Sequence, residues 1–224
     1  MAGTKVLRNQ VKRHLLEQIR RQELRIGKTI NLAKLAREIG ISVTPIREAL
    51  SQLEQSRIVV AVPNRGFLIP ELSLQEATNL YETVAQLEVL ALEQTTFDQK
   101  VVGQLKRELL TWQASITPTA RLASRVRFHD CLISNCPNQL LISIIKELET
   151  RIVFYEQLLI TDPKFYEQAD QQNEAIVSAI EEDNKPTAAL ILKMNWMGIA
   201  EHIKSRLLLD YDVQHYTIEP NEER

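Results

Sequence analysis

The stretch "ISVTPIREAL", Ile41–Leu50, decides the fold of the N-terminal part of this chain. Two small hydroxyl residues and a proline stand ahead of an apolar stripe. Ser42 or Thr44 suits the cap of a helix, where a side-chain oxygen accepts from an unpaired backbone N–H. Pro45 suits the first turn, where no backbone N–H is required. Ile46, Ala49, Leu50 and Leu53 then recur at i, i+3, i+4 and i+7, one face of a helix. Thr44, Arg47 and Ser51 fall on the other side. The helix therefore buries one face and leaves its electropositive end dressed with hydroxyls and one long cation.

Reading outward, Val6, Val11, Leu15, Leu16, Ile19 and Leu24 predict a helix over Val6–Leu24, broken near Gly27 in "RIGKTI". A short helix is predicted over Leu32–Ile39 and stopped by Gly40, a residue suited to a left-handed C-terminal position. After Gln55 the β-prone runs "RIVVAV" and "GFLI" flank "PNRG", a turn. Three helices and a hairpin in about 70 residues make a winged helix-turn-helix. Phosphate suits the free N–H groups and hydroxyls at the third helix, and Arg47 suits the two acceptors of a guanine edge. The hairpin tip, Asn64-Arg65-Gly66, brings a further cation. The same residues also suit a capped core helix with a solvated arginine.

Charge favours the first of these readings. The net charge of −2 hides an asymmetry: residues 1–70 hold 13 Lys and Arg against 5 Asp and Glu, a balance of +8, leaving 14 against 24, a balance of −10, in the rest. A basic module joined to an acidic one at "IPELS", Ile69–Ser73, predicts that only the first meets a polyanion. No apolar run reaches the roughly 20 residues of a membrane span. The N-terminal stretch lacks the apolar core of a secretory signal. Cys131 and Cys136, the only cysteines, fit neither a Cys-x-x-Cys site nor a disulfide framework, and predict buried thiols in a reducing cytoplasm.

The segment "LAREIGISVTPIREALSQLEQSRIVVAVPNRGFLI" resembles the DNA-binding domain of GntR-type bacterial transcription regulators, a resemblance that runs from Val6 to Ile69. It implies that Ser42, Thr44 and Arg47 contact operator DNA and that Arg65 and Gly66 form the wing tip. Two positions depart from the family pattern. Val43 stands where many members carry arginine, and Ser56-Arg57 stands where a Glu-Gly pair is common.

Beyond Ser73 the sequence predicts helices near 74–96, 98–114, 120–135, 138–160, 164–183 and 185–209, with breaks at Pro118, Pro137, Asp162-Pro163 and Asn184-Lys185-Pro186. The expected organisation is a mainly α chain: a winged helix-turn-helix over 1–70, a linker over 71–73, an all-helical bundle over 74–209 and a polar tail over 210–224. "LYETVAQLEVLALE", "RFHDCLISNCPNQLL" and "NEAIVSAIEEDNKPTAAL" resemble, in order, segments of the FadR-like subfamily with its FCD effector domain. That resemblance implies a bundle with a central pocket, a homodimer on a pseudo-palindromic double-stranded operator, and a small organic effector, a carboxylate among the candidates.

Many members of that subfamily hold a metal with one Asp and three His. In this chain those positions are Arg125, His129, Asn173 and Asn195. A cation and two amides do not make a metal cage, so no metal and no other cofactor is expected; His202 and Asp130 point elsewhere on ideal helical geometry. Arg125, His129, Asn173 and Asn195 are instead expected to line a pocket for an anionic or polar molecule, Arg125 taking a carboxylate directly. Val84 replaces an arginine usual in relatives, while Glu88 is retained. Two alternatives stay open: a helical domain that only dimerises, and a metal-dependent sensor with a rearranged site. Catalysis is not expected, because no phosphate loop, nucleophile elbow or His-Glu-x-x-His occurs.

Overall fold

The computed structural model describes residues 10, 11, 13–15, 17, 18, 27–55, 57–63, 65–159 and 165–216, with side-chain surroundings for all of these except 157–159, 166 and 210–216. The chain divides into two units, Met1–Glu71 and Leu72–Arg224. The expected joint at Ile69–Ser73 spans that division. Among the described residues no helix is long and apolar enough to cross a membrane.

In the first unit, the described residues between Gln10 and Gln18 are helical, and Val11 and Leu15 are fully buried. The rest of the expected helix over Val6–Leu24 lies outside the described residues. Helix α1, Leu32–Ile39, starts at Asn31, whose side chain accepts from Lys34 N at 2.9 Å. It ends at Gly40 (φ 73°), whose N–H and that of Ile41 both return to Ala36 O. Helix α2 runs Val43–Gln55 and buries Ile46, Ala49, Leu50 and Leu53. Strands β1 (Val60–Val62) and β2 (Gly66–Leu68) pair antiparallel, with Val60 opposite Leu68 and Val62 opposite Gly66. Unforeseen from sequence, a third segment joins this hairpin: Thr29 bridges Leu68, and Ile30 N donates to Phe67 O at 2.7 Å.

The passage from α2 into β1 uses Arg57 in the left-handed region, φ 53°. Arg57 N donates to Glu54 O and Ile58 N to Leu53 O, the paired bonds of a helix C-cap that glycine usually completes. The turn keeps its shape without glycine because Leu53 and Ile58, both fully buried, pin its two sides. A left-handed non-glycine residue is strained by roughly 1–2 kcal/mol, partly offset by the lower entropy of its unfolded state. Arg57→Gly is therefore expected to stabilise the first unit by roughly 0.5–1 kcal/mol, read as a higher urea midpoint with an unchanged slope.

The second unit is a helical bundle: α3 Leu74–Gln94, α4 Gln99–Ala114, α5 Pro118–Leu132, α6 Gln139–Leu159, α7 Phe165–Glu181 and α8 Lys185–Tyr216. Side-chain caps set several starts: Ser73 for α3, Asp98 for α4 and Thr117 for α5. Pro118, expected as a break, occupies the first turn of α5, where its missing N–H costs nothing. The same helix stops at Leu132, short of the expected 135, and residues 133–135 form a turn ahead of Pro137. Helix α8 continues to Tyr216, past the expected end at Leu209. The break expected at Asp162-Pro163 lies outside the described residues. Trp112, Trp196, Tyr81 and Phe128 fill the core. Arg121 ties three helices together: Nη1 reaches both oxygens of Asp170 at 2.7 and 2.8 Å and Nε donates to Ser115 O, while Trp112 Nε1 also donates to Asp170.

Candidate functional site

The first unit presents a groove of about 540 Å³ whose lining includes Arg47 from α2, Arg65 from the hairpin turn and Gly66 at the start of β2. Local rules put these residues there. The apolar stripe of α2 faces inward, so Arg47 faces out and is exposed. Helix α2 begins at Val43, which places Ser42 just before the helix and Thr44 inside its first turn; both are exposed. Gly66 has φ 88°, a backbone region open to glycine, and Arg65 N donates to Val62 O across the turn. Glu54 Oε1 accepts from Ala61 N at 2.9 Å, which fixes the hairpin against α2. Asn64 lies outside the described residues. One groove of this unit thus brings together two exposed guanidinium groups, one of them in the second turn of α2.

The second unit holds a polar cluster in its interior. Arg125, His129, Asn173 and Asn195 are all buried, as are Glu88 and Glu156. His129 Nδ1 lies 2.7 Å from Glu88 Oε2, and Trp196 Nε1 donates to the same oxygen at 2.8 Å. Arg125 Nη2 lies 2.8 Å from Glu156 Oε2, and its guanidinium sits 4.9 Å from the Trp196 ring centre. Tyr81 Oη makes a long bond of 3.5 Å to Glu156 Oε1. Val84, the other departure on α3, is fully buried.

The two carboxylates respond differently. Burial pushes both upward. At Glu88 the attraction of His129, with the hydrogen bonds from His129 and Trp196, outweighs burial and holds the carboxyl below its usual range. At Glu156 burial wins over the attraction of Arg125, and the carboxyl is raised. Arg125 Nη2 approaches Glu156 Oε2 to 2.8 Å, while among the described residues Arg125 Nε has no hydrogen-bond partner.

Further buried atoms share that condition. Asn173 is 0% exposed, and among the described residues neither of its amide atoms has a partner; His129 Nε2 and Asn195 Oδ1 also have none there, although Asn195 Nδ2 donates to Gln172 at 3.0 Å. Arg125 and His129 line one small cavity of about 20 Å³ with Glu88 and Trp196, room for about one water. Asn195 lines a different and larger opening between α7 and α8. Glu156 was not foreseen as Arg125's partner. Its only sequence signal is an acid inside the apolar run "RIVFYEQLLI".

A metal does not fit the four residues at the family's ligand positions, because a guanidinium already supplies positive charge there. Among the described residues no group of three His, Cys, Asp or Glu side chains is placed to hold one. Asp130 instead pairs with Lys146, and the His202 ring packs 4.4 Å from that of Phe165.

Comparison with known proteins agrees with this architecture. The family model for bacterial regulatory proteins of the gntR family matches residues 7–69, and that for the FCD domain matches residues 79–196. The HTH-type transcriptional regulator YdhC of Bacillus subtilis is 26% identical over 184 residues, 80% of this chain and 82% of that protein. The Nta operon transcriptional regulator of Aminobacter aminovorans is 30% identical over 136 residues, 58% of this chain and 64% of that protein. In fold, the chain is similar to a GntR transcriptional regulator from Rhodococcus sp. RHA1 (TM-score 0.73, 18% identity, 88% of this chain and 96% of that one) and to E. coli McbR/YncC (TM-score 0.66, 21% identity, 94% and 98%). With the FCD model spanning half of its length, the chain belongs to the gntR family of bacterial regulatory proteins: it is a DNA-binding transcription regulator with an FCD domain, and not an enzyme.

Proposed function

We propose that this regulator binds a pseudo-palindromic operator as a homodimer and that its helical unit senses a small polar molecule. Ser42 and Thr44 serve phosphate at the start of α2, Arg47 reads a base edge, and Arg65 and Gly66 carry the wing against the backbone. The sensing role is assigned to Arg125 and His129 at the small cavity, to Asn195 at the larger opening between α7 and α8, and to the buried amide of Asn173. A carboxylate ligand was expected on the premise that Arg125 was available. With Glu156 beside Arg125 and Glu88 beside His129, the charges compensate within the site, which favours a polar ligand without net charge.

The observation that carries the sensing role is Asn173. A carboxamide shielded from solvent with neither atom bonded costs about 1–3 kcal/mol, a poor choice for stability alone. A ligand supplies the missing bonds. Asn173→Leu, with the same number and branching of side-chain heavy atoms, is therefore expected to raise the melting temperature of the ligand-free protein while abolishing the response of operator affinity to small polar metabolites, a coupling of roughly 5–150-fold. A fall in stability on this substitution would show that the amide is already satisfied, and the sensing reading would lose its support.

A further inference from the structure

The opening between α7 and α8 is a cleft of about 270 Å³, small for a ligand site but adequate for a single ring system. Its described lining includes Phe165, Gln168 and Gln172 from α7, and Asn195, Gly198 and His202 from α8. Three features point to an occupant. The first is Asn195, 2% exposed, whose Oδ1 has no partner and which forms part of the cleft wall. The second is Gly198. Glycine inside a helix costs about 1 kcal/mol relative to alanine. Here the backbone does not demand it, since its φ is ordinary for a helix, and a Cβ would meet nothing within 4 Å. Its place in the cleft lining means that only a side chain longer than alanine would enter the opening. The third is the Phe165–His202 ring pair, 4.4 Å between centres, an aromatic wall beside the amides.

Resting on the sensor reading above, we propose that this cleft binds a flat, uncharged ring carrying an adjacent hydrogen-bond donor and acceptor, the pattern of a carboxamide, lactam or nucleobase edge. Asn195 Nδ2 and Gln172 Oε1 bond each other, which leaves Asn195 Oδ1 as an acceptor and Gln172 Nε2 as a donor on the same wall, beside the Gln168 amide, and that pairing matches such an edge. Phe165 offers a face for stacking. No Lys, Arg, Asp or Glu occurs among the described lining residues, and the nearby charges of Arg125 and His129 are compensated by Glu156 and Glu88. A ligand carboxylate would lose water here without gaining a cation.

The test uses the full chain and a matched pair of probes, benzamide and benzoate, with nicotinamide and adenine as further uncharged rings. Binding is followed by ligand-observed NMR. The amide is expected to bind at least about tenfold more tightly than its acid twin. Gly198→Leu fills the cleft and abolishes binding, whereas Gly198→Ala keeps it; both variants melt at or above the wild-type temperature, which excludes unfolding as the cause. Preference for benzoate overturns the assignment, as does lack of saturation by every uncharged probe up to about 10 mM. If benzamide binding survives Gly198→Leu but is lost in Asn173→Leu, the sensor stands and the cleft is wrong. If operator affinity ignores a probe that does occupy the cleft, the cleft stands and the sensor reading fails.

Discussion

Glu88→Leu should cost the helical unit about 3–5 kcal/mol, as much as truncating a buried aromatic of this core. Glu88 Oε2 is the acceptor for both His129 Nδ1 and Trp196 Nε1, and all three groups are buried. Leucine preserves the volume but leaves two donors facing an apolar side chain. In a domain of this size 1 kcal/mol moves the melting temperature by roughly 2–4 °C, so a fall of roughly 6–20 °C is the calorimetric result to look for. The pH dependence adds an independent check. Because the folded protein holds the Glu88 carboxyl below its ordinary value of 4.5, its contribution is fully present above that pH and is lost as pH falls through the lower folded value. The deficit of Glu88→Leu should therefore be largest near neutrality and shrink in acid. Glu156 acts in the opposite sense, since its carboxyl is raised by burial; its contribution is present at low pH and fades as pH rises. Glu156 shares His129 and Arg125 with Glu88, so Glu156→Gln with and without Glu88→Leu separates the two contributions. A deficit independent of pH would mean that packing, not the charge on Glu88, holds this part of the core.

Glu88 and Glu156 also mark the limit of what the chain reveals as text. The winged unit was legible because its signals are local. A proline in a first turn, a stripe at i, i+3, i+4 and i+7, and Gly40 at a left-handed cap each act within one turn of backbone. The helical bundle was legible at the level of elements for the same reason, and its errors fall at ends. Helix α8 runs on to Tyr216 because no glycine or proline follows Leu209 within the helix, and polar residues can continue a helix they did not start. The strand-like pairing of Thr29 and Ile30 with β2 went unseen because two residues make no alternating pattern.

The buried site was legible only as four positions. Arg125 and His129, one turn apart on α5, share a face, so their association follows from helical period alone. Which carboxylate each meets depends on α3 and α6, whose placement is tertiary. That information reversed the expected chemistry. An arginine open to a carboxylate ligand became an arginine already held by a carboxylate of its own chain. The cleft beside Asn195 was illegible for a further reason: a glycine in a helix reads as a weakness in one dimension and as part of a cleft lining only in three.

Arg47→Ala should reduce affinity for the operator by about 10- to 100-fold, or about 1–3 kcal/mol, and should weaken binding to random duplex far less. Arg47 is exposed and lies opposite a fully buried stripe, so its loss leaves the fold intact and the melting temperature unchanged within error. It shares one groove with Arg65 and Gly66, which makes the two guanidinium groups a paired comparison. A base contact discriminates between sequences; a phosphate contact does not. Arg65→Ala should accordingly weaken operator and random fragments alike and lower the slope of log affinity against log salt by about one, while Arg47→Ala lowers the ratio between the two fragments and leaves most of the salt slope in place. Fluorescence anisotropy over a salt series reads both quantities. If Arg47→Ala behaved as Arg65→Ala does, α2 would be gripping the backbone, and sequence recognition would have to come from elsewhere in the groove, where the other described lining residues that are not buried, Leu32, Ala61 and Val62, are apolar and suited to a thymine methyl rather than a guanine edge.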